Sequence, residues 1–300
     1  MKVQRIAKLT GHKASIFTVF AGKSDNQFLS GAGDGWVIEW DLNNLDKAKV
    51  LAKIEANIFS ALLVEEKQVL VLGNMYGGVH WINLLEKSNT KNILHHSRGV
   101  FDIQYFNNHL YTAGGQGRFT KWNVDAQAPL ETIELTQERL RSIDYSPTRN
   151  EILIGASDNS IYTLDATTLK VKHQEKEAHE NSVFVAKYAP NGQYIVSGGR
   201  DAQLRVWEID GFREINCQPA HWYTINDLVF HPKGHWFATA SRDKTIKIWD
   251  MNTFKLLKVI DVQKFGGHIN SVNKLYWSSH NDWLISCSDD RTVMVWEVSG

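Results

Sequence analysis

The residues best suited to chemistry in this sequence of 300 residues are histidines, hydroxyls and aspartates that recur at fixed spacing. Four histidines are each followed by Ser or Thr after 18 residues, by Asp after 22 and by Trp after 28. The four sets are His12, Ser30, Asp34 and Trp40; His179, Ser197, Asp201 and Trp207; His221, Thr239, Asp243 and Trp249; and His268, Ser286, Asp290 and Trp296. A hydroxyl, an imidazole and a carboxylate together form the catalytic triad of serine hydrolases, in which the imidazole and the carboxylate activate the hydroxyl as a nucleophile. Because four copies follow one spacing, we interpret them as a structural repeat and predict no catalytic residues.

Other catalytic and metal-binding motifs are absent from the sequence. It contains no GxGxxG, P-loop, HExxH, CxxC or GxSxG pattern, the motifs of nucleotide, zinc, redox and hydrolase chemistry. His95 with His96 and His231 with His235 have the side chains of metal ligands. His96 already holds a repeat position, and a Pro-Lys-Gly turn separates His231 from His235. We therefore predict no metal site and no cofactor.

The elements that must position the repeated residues are marked by tryptophans. Six of the 11 tryptophans stand about 42 residues apart or at twice that distance, and Leu164 stands where a further one would fall. Each closes a short alternating segment, such as Leu-Arg-Val-Trp-Glu at 204–208 and Ile-Lys-Ile-Trp-Asp at 246–250. Such alternation of β-branched and aromatic with polar residues predicts strands.

With its Gly-His or Ala-His starts, turn aspartates and closing Trp-Asp or Trp-Glu pairs, the sequence resembles the WD40 family over essentially its whole length. The resemblance implies an all-β, seven-bladed propeller of four-stranded antiparallel sheets around a central channel. It implies a single domain over residues 1–300, with blade-closing positions at Trp40, Trp81, Trp122, Leu164, Trp207, Trp249 and Trp296. It also implies that each His, Ser or Thr, Asp and Trp set is hydrogen-bonded within a blade, as a buried indole requires.

Three repeats are incomplete. The second has Val71 and Met75 at the hydroxyl and acid positions, the third has Gln116 at the acid position, and the fourth has Ile154 at the hydroxyl position and Leu164 at the Trp position. The second and fourth blades should therefore depend more on apolar packing than on a polar group.

Residues 3–9 precede the first Gly-His, at the place where each later blade has the outer strand of its predecessor. We expect this segment to supply the outer strand of the last blade, which would close the ring and remove a free sheet edge.

The resemblance implies that partners dock on the rim formed by the loops after the conserved histidines and by the aspartate turns, the top face. Each blade begins with an apolar residue that we expect in the core, such as Ile16 in the first blade. The residues that directly follow it in the seven blades are Phe17, Phe59, Phe101, Arg141, Phe184, Asn226 and Asn273. By strand alternation these should face away from the core, toward the mouth of the channel. Four phenylalanines there fit either an apolar plug or an aromatic depression for a partner's side chain. Trp222 and Tyr223, directly after His221, favour the depression.

Arginines are distributed unevenly over the same face. Arg139 and Arg141 lie in the fourth blade, and Arg200 and Arg242 precede the turn aspartates of the fifth and sixth. Such an arc could bind a carboxylate or a phosphate on a peptide, because Arg pairs bidentately with both. Alternatively, each Arg pairs with an adjacent acid such as Asp201 or Asp243. Nucleic acid is disfavoured, because its recognition needs a wider positive field.

Composition limits the remaining classes of function. The 33 basic and 33 acidic residues cancel, and two cysteines cannot form a disulfide framework. No apolar span or signal segment is present in the sequence, so we expect a cytoplasmic protein, either monomeric or part of a hetero-complex. The predicted function is a non-catalytic scaffold that binds a protein or peptide, acidic or phosphorylated, on its top face. The alternatives are an enzyme binding a small anionic substrate through Arg141, Arg200 and Arg242, and a subunit of an RNA-containing assembly.

Overall fold

Strands provide nearly all of the regular structure, as the alternating segments predict. The computed structural model describes residues 1–86 and 90–300, which form seven four-stranded sheets. The prediction of an all-β fold with seven blades is thereby confirmed. The chain divides into two compact units, one of Met1–Ile58 with His221–Gly300 and the other of Phe59–Ala220. That residues 1–300 form a single domain stays a prediction.

The N-terminal part of the first unit contains one complete sheet and one strand of another. The strands are β1 (Lys2–Thr10), β2 (Ile16–Ala21), β3 (Gln27–Ala32), β4 (Trp36–Asp41) and β5 (Asn44–Lys53). Strands β2 to β5 pair in chain order and antiparallel.

The second unit contains four sheets, each made of four consecutive strands. The strands are β6 (Ile58–Val64), β7 (Val69–Asn74), β8 (Gly78–Asn83) and β9 (Thr90–Leu94); β10 (Val100–Phe106), β11 (His109–Gly114), β12 (Arg118–Asn123) and β13 (Ala128–Glu134); β14 (Leu140–Ser146), β15 (Glu151–Ala156), β16 (Ile161–Asp165) and β17 (Val171–Glu175); and β18 (Val183–Tyr188), β19 (Tyr194–Gly199), β20 (Gln203–Glu208) and β21 (Arg213–Pro219).

The C-terminal part of the first unit completes its three sheets. The elements are β22 (Ile225–Phe230), β23 (Trp236–Ser241), β24 (Ile246–Asp250), β25 (Leu256–Ile260), the helix α1 (Val262–Phe265), β26 (Val272–Trp277), β27 (Leu284–Ser288) and β28 (Thr292–Ser299). In the described parts of both units, short 3-10 turns occur at Glu65–Lys67, Gly115–Gly117 and His280–Asp282.

The last sheet is completed by the N-terminal strand, as predicted. Its strand order is β1-β28-β27-β26, and β1 pairs antiparallel with β28 from Lys2 opposite Ser299 to Thr10 opposite Thr292. The unpaired edge that β28 would otherwise present is therefore covered by hydrogen bonds to β1.

A β-bulge recurs near the start of the first strand in three sheets of each unit. In β2, for example, Ile16 lies opposite Ala32 and Thr18 opposite Gly31, so that the strand register skips Phe17. The same skip falls on Phe101, Arg141, Phe184, Asn226 and Asn273. A bulge re-aims the side chain of its extra residue. Aligning the blades of this chain with one another identified these positions. Their orientation results from a bulge, however, and not from the simple strand alternation that we expected.

The second sheet departs from the predicted repeat register. In the first sheet Gly31 lies opposite Val37 and Phe28 opposite Trp40, whereas in the second Gly73 lies opposite Val79 and Leu70 opposite Ile82. Ile82 therefore takes the position of Trp40, and Leu72 and Tyr76 take those of Ser30 and Asp34. The prediction that Trp81 closes this blade, with Val71 and Met75 in the other two positions, was wrong by one residue.

Trp81 lies on the opposite face of its sheet and packs against Trp122, with ring centroids 5.8 Å apart. Among the described residues, its buried Nε1 has no hydrogen-bond partner. Trp81 thus contributes to apolar packing and to no polar group of the repeat.

Candidate partner-binding site

The four sequence-identified sets form one repeated hydrogen-bond pattern, which we call the tetrad. In the first, His12 Nδ1 lies 3.1 Å from an Asp34 oxygen and Nε2 lies 2.8 Å from Ser30 Oγ, which also accepts a bond from Trp40 Nε1 at 2.8 Å. The other three repeat it, with His–Asp distances of 2.9 Å, His–hydroxyl distances of 2.8 Å and Trp–hydroxyl distances of 2.8 to 2.9 Å. All four hydroxyl residues are 0% exposed. A hydroxyl enclosed by an imidazole and an indole cannot reach a substrate carbonyl.

The charges within the tetrads are fixed by burial and by the paired groups. Burial lowers the pKa of His12 and of His221, despite the opposing effect of the facing aspartates. Burial by itself would raise the pKa of Asp201, Asp243 and Asp290, but hydrogen bonds from the facing histidines and backbone amides hold each below its usual range. A carboxylate that accepts several hydrogen bonds stays ionised. Each aspartate therefore orients its neighbours as a fixed acceptor.

Two incomplete repeats replace the missing groups differently. In the third sheet His96 Nε2 lies 2.7 Å from Thr112 Oγ1, but among the described residues the buried Nδ1 of His96 has no partner. Burial lowers the pKa of His96 to about 3. In the fourth sheet the Tyr162 hydroxyl donates to Asp158 at 2.5 Å, in place of the absent histidine. Tyr162 could not be identified from the sequence, because it lies in β16, whereas the repeat places the histidine before β14.

In the second unit, four residues of the predicted top face form a continuous stack, which we call the Phe–Arg row: Phe59, Phe101, Arg141 and Phe184. The rings of Phe59 and Phe101 stack with centroids 5.9 Å apart and planes inclined by 22°. The Arg141 guanidinium carbon lies 4.7 Å from the centroid of Phe101 and 4.1 Å from that of Phe184. All four side chains are half-buried. The row is thus packed in part and open to solvent in part.

Arg141 is the most constrained member of the row. Its Nε donates to Ser157 Oγ at 3.1 Å, and both flanking rings lie within the range of a cation–π interaction. Burial, followed by the charges of Arg139 and Arg200, lowers the pKa of Arg141 to about 10. The group therefore remains charged at neutral pH.

The alternative that the arginines of the top face pair with adjacent acids is not supported by the structure. None of the ion pairs among residues 1–86 and 90–300 includes Arg139, Arg141, Arg200 or Arg242. Asp201 pairs instead with His179 and Arg205, and Asp243 with His221. Arg139, Arg200 and Arg242 are exposed.

In the first unit, two predicted site residues are engaged in structural hydrogen bonds. Asn226 Nδ2 donates to Ser271 Oγ and to the Val272 carbonyl, at 3.0 and 2.8 Å. Asn273 Nδ2 donates to the Ile16 carbonyl at 2.9 Å and to Asp289 at 2.8 Å. These amides occupy bulge positions but link neighbouring sheets of one unit. Phe17, in the same unit, is half-buried.

The loop after His221 displays two large aromatic side chains. Trp222 is 87% exposed and Tyr223 62% exposed, while the backbone NH of Trp222 is held by Asp243 at 3.1 Å. Ile269 likewise follows His268, and its backbone NH donates a hydrogen bond to Asp290 at 3.1 Å. Its side chain is displayed on the surface, since the residue is 61% exposed. The tetrad aspartate therefore fixes the loop that presents each apolar side chain. Ile269 was not among the residues predicted from the sequence, although its position directly after the tetrad histidine His268 could have identified it.

A cavity of about 280 Å³ in the second unit was not predicted. It is lined by Arg149, Glu151, Thr163, Lys172, His173, Tyr188, Ile195, Ile209, Gly211 and Phe212. Its charges are internally paired, because Glu151 binds both Arg149 and Lys172. Burial opposes ionisation of Glu151, but these two cations keep its pKa below the usual range.

Neither a metal cluster nor a membrane-crossing helix occurs in the part of the chain that the structure describes. No group of three or more His, Cys, Asp or Glu residues there is placed to hold a metal ion. The helices within residues 1–86 and 90–300 lack the length and apolarity that a membrane crossing requires.

The seven four-stranded sheets and the tetrads define a seven-bladed β-propeller. A solved structure of the WD40 β-propeller domain of Doa1 is similar over 99% of this chain and 97% of that one, with a TM-score of 0.87 and 17% identity. The family model "WD domain, G-beta repeat" matches residues 3–41, 170–208, 212–250 and 260–297, just over half of the sequence. The chain belongs to the WD40 family. The four matched segments are those that contain the complete tetrads.

Curated relatives are distant and longer than the matched region. The chain is 21% identical over 208 residues to Echinoderm microtubule-associated protein-like elp-1 of Caenorhabditis elegans, covering 68% of this chain and 23% of that protein. It is 23% identical over 185 residues to THO complex subunit 6 homolog of Danio rerio, covering 55% and 57%. It is 21% identical over 260 residues to Striatin of Homo sapiens, covering 77% and 33%. The chain thus spans less than two thirds of each of these proteins, and WD40 propellers of such diverse proteins typically serve as interaction scaffolds.

Proposed function

We propose that the protein is a non-catalytic interaction platform that binds a protein or peptide partner through side chains of its top face. The observation that carries the proposal is the exposure of Trp222 and Tyr223 on a loop fixed by a tetrad. Exposed aromatic side chains on a rigid support are typical anchors of protein interfaces, because they bury much apolar area at little entropic cost.

The titratable groups support a non-catalytic function. A general acid or base works best with a pKa near the operating pH. For the carboxyl groups and histidines among the described residues, each resolved pKa shift is downward, and the tetrad hydroxyls are enclosed. Within residues 1–86 and 90–300, none of the resolved shifts raises a carboxyl pKa toward neutrality, which favours the non-catalytic platform over the alternative of an enzyme.

The relatives support a partner within a larger assembly. Two relatives are named as subunits of larger assemblies: a THO complex subunit 6 homolog and a transcription initiation factor TFIID subunit 5. By analogy we place this chain in a hetero-complex, and the free Cys217 and Cys287 fit the reducing conditions of the cytoplasm.

Replacement of the two exposed aromatic residues tests the proposal. We expect Trp222→Ala/Tyr223→Ala to reduce recovery of specific partners in quantitative affinity capture by about tenfold or more, because each aromatic anchor contributes a large share of interface energy. Leu94→Ala is the matched control, since Leu94 is 75% exposed on the outer strand β9. Both variants should keep the wild-type melting temperature. Identical partners at identical yield for wild type, the double variant and a Phe17→Ala/Phe59→Ala/Phe101→Ala variant would contradict the proposal.

A further inference from the structure

We infer that Arg141 is the recognition residue for a carboxylate side chain, Asp or Glu, of a peptide partner whose neighbouring apolar residue packs on the Phe59–Phe101 pair. This inference deepens the proposed function and depends on it. It names the chemistry of the partner and the residue that selects it.

The guanidinium of Arg141 is oriented before any ligand arrives. Phe101 and Phe184 lie 4.7 and 4.1 Å from its central carbon, and Ser157 accepts from Nε at 3.1 Å. The two Nη atoms make no hydrogen bond to the described residues. A guanidinium edge with two free nitrogens matches the two oxygens of a carboxylate in a bidentate pair. Since the Arg side chain is already ordered by the rings, binding costs less conformational entropy than for a free arginine.

The charge around Arg141 also favours an anion. Arg139 lies 5.9 Å from the Phe101 centroid, and neither it nor Arg200 forms an ion pair among the described residues. In addition to the effect of burial, both arginines lower the pKa of Arg141, because like charges repel one another. Arg141 forms no ion pair with an acid among the described residues: Asp144, three residues along the chain, pairs with Lys187, and Asp158 accepts a hydrogen bond from Tyr162. An incoming carboxylate would relieve this repulsion without displacing an internal partner.

The apolar part of the recognition site is adjacent to the charged part. Phe101 contacts both Arg141 and Phe59, so the two functions share one ring. Because Phe59 and Phe101 are only half-buried, the parts of their rings that are exposed to solvent can contact an apolar side chain. An acidic residue next to Leu, Ile or Phe is therefore the sequence we expect a ligand to contain.

The experiment is selection from a phage-displayed library of random peptides, followed by affinity measurement with the selected peptides. The wild type should enrich peptides with Asp or Glu beside an apolar residue, and Arg141→Lys should lose that enrichment. For a selected peptide, we expect Arg141→Lys, or Glu→Gln in the peptide, to weaken binding about tenfold or more. Ser157→Ala, which frees the guanidinium but keeps its charge, should weaken binding about threefold. Arg213→Lys is the control, because Arg213 is an exposed arginine paired with Glu208 at 2.8 Å.

The outcomes separate this inference from the proposed function. Selected peptides without acidic enrichment, or equal binding to wild type and Arg141→Lys, would overturn the inference. If Phe59→Ala/Phe101→Ala or Trp222→Ala/Tyr223→Ala still abolished binding, the interaction platform would stand. Failure to select any peptide above background overturns the inference alone. A phosphoserine in place of Glu that binds tenfold more tightly would overturn the carboxylate assignment in favour of a phosphate.

Discussion

The Ser197 hydroxyl, at the scale of a single residue, serves two buried partners at once. It accepts from Trp207 Nε1 at 2.8 Å and lies 2.8 Å from His179 Nε2. Because an indole N–H can only donate and a carboxylate can only accept, we assign Trp207 as donor to Ser197, Ser197 as donor to His179, and His179 as donor to Asp201. This assignment requires the histidine tautomer with hydrogen on Nδ1. Removal of the hydroxyl therefore leaves two buried polar atoms unsatisfied.

We expect Ser197→Ala to lower the free energy of unfolding by about 2 to 6 kcal/mol, because each of the two orphaned buried groups costs about 1 to 3 kcal/mol. Urea denaturation followed by tryptophan fluorescence measures the change. Ser24→Ala, at an exposed loop serine, is the control and should lie within about 0.5 kcal/mol of wild type. An equal effect of the two substitutions would show that the tetrad contributes nothing to stability.

Sequence reasoning was most reliable for residues that repeat at a fixed spacing. The members of the tetrads could be identified because their contacts are local to one blade and identical in four copies. Trp81 was misassigned because it lies at nearly the expected spacing from both Trp40 and Trp122. A difference of one residue in that spacing moves a side chain to the opposite face of a strand, and the strand pairing shows that Ile82 takes the position of Trp40. Tyr162 was missed because its role depends on an aspartate whose usual partner is absent.

The bulges are the structural elements that the sequence could not specify. A bulge depends on how two strands pair, and pairing register is a property of both strands together with the core that they bury. The residues at the bulges could be aligned, but their hydrogen-bonding state could not. For this reason the contacts of Arg141 with Phe101 and Phe184, and the engagement of Asn226 and Asn273, emerge only from the structure.

Removal of β1 tests the closure of the last sheet. Deletion of residues 1–9 would expose the edge of β28 and the core residues that Val3 and Leu9 cover. We expect a fall in the melting temperature of more than about 10 °C and concentration-dependent aggregation, because a bare strand edge pairs with other chains. Thermal unfolding and light scattering provide the measurement. A truncated chain that melts with the wild type would rule out a stabilising role for β1.

Electrostatics at the scale of the whole molecule follows from where the charges lie. Formal charges sum to zero, yet the arginines at the Phe–Arg row have no ion pairs among the described residues, while the tetrad aspartates are bound by histidines. Neutral composition thus coexists with a local positive surface. Composition could exclude a generally basic protein, but not a short basic arc.

Acid should destabilise the protein before its carboxylates titrate. Because burial lowers the pKa of His96 from 6.5 to about 3, the unfolded chain binds more protons over this range. The contribution of His96 is complete above about pH 6.5 and is lost as the pH falls toward 3. Between pH 7 and pH 5 it amounts to about 2 kcal/mol.

His96→Gln should reduce the loss of unfolding free energy between pH 7 and pH 5 by about that amount, about 2 kcal/mol. Urea titrations at the two pH values measure this difference. His235→Gln, at an exposed histidine, should keep the wild-type difference. A His96→Gln protein with the same pH dependence as wild type would disprove the assignment.

The recurring bulge has a consequence for how such a protein can change. A residue that the strand register skips takes no part in the cross-strand pairing, so its replacement leaves that register intact. We expect Phe17, Phe101, Arg141 and Phe184 to tolerate exchange far better than the core residues that precede them. Single substitutions at the bulge positions would then change the binding specificity of the propeller while its fold stays the same.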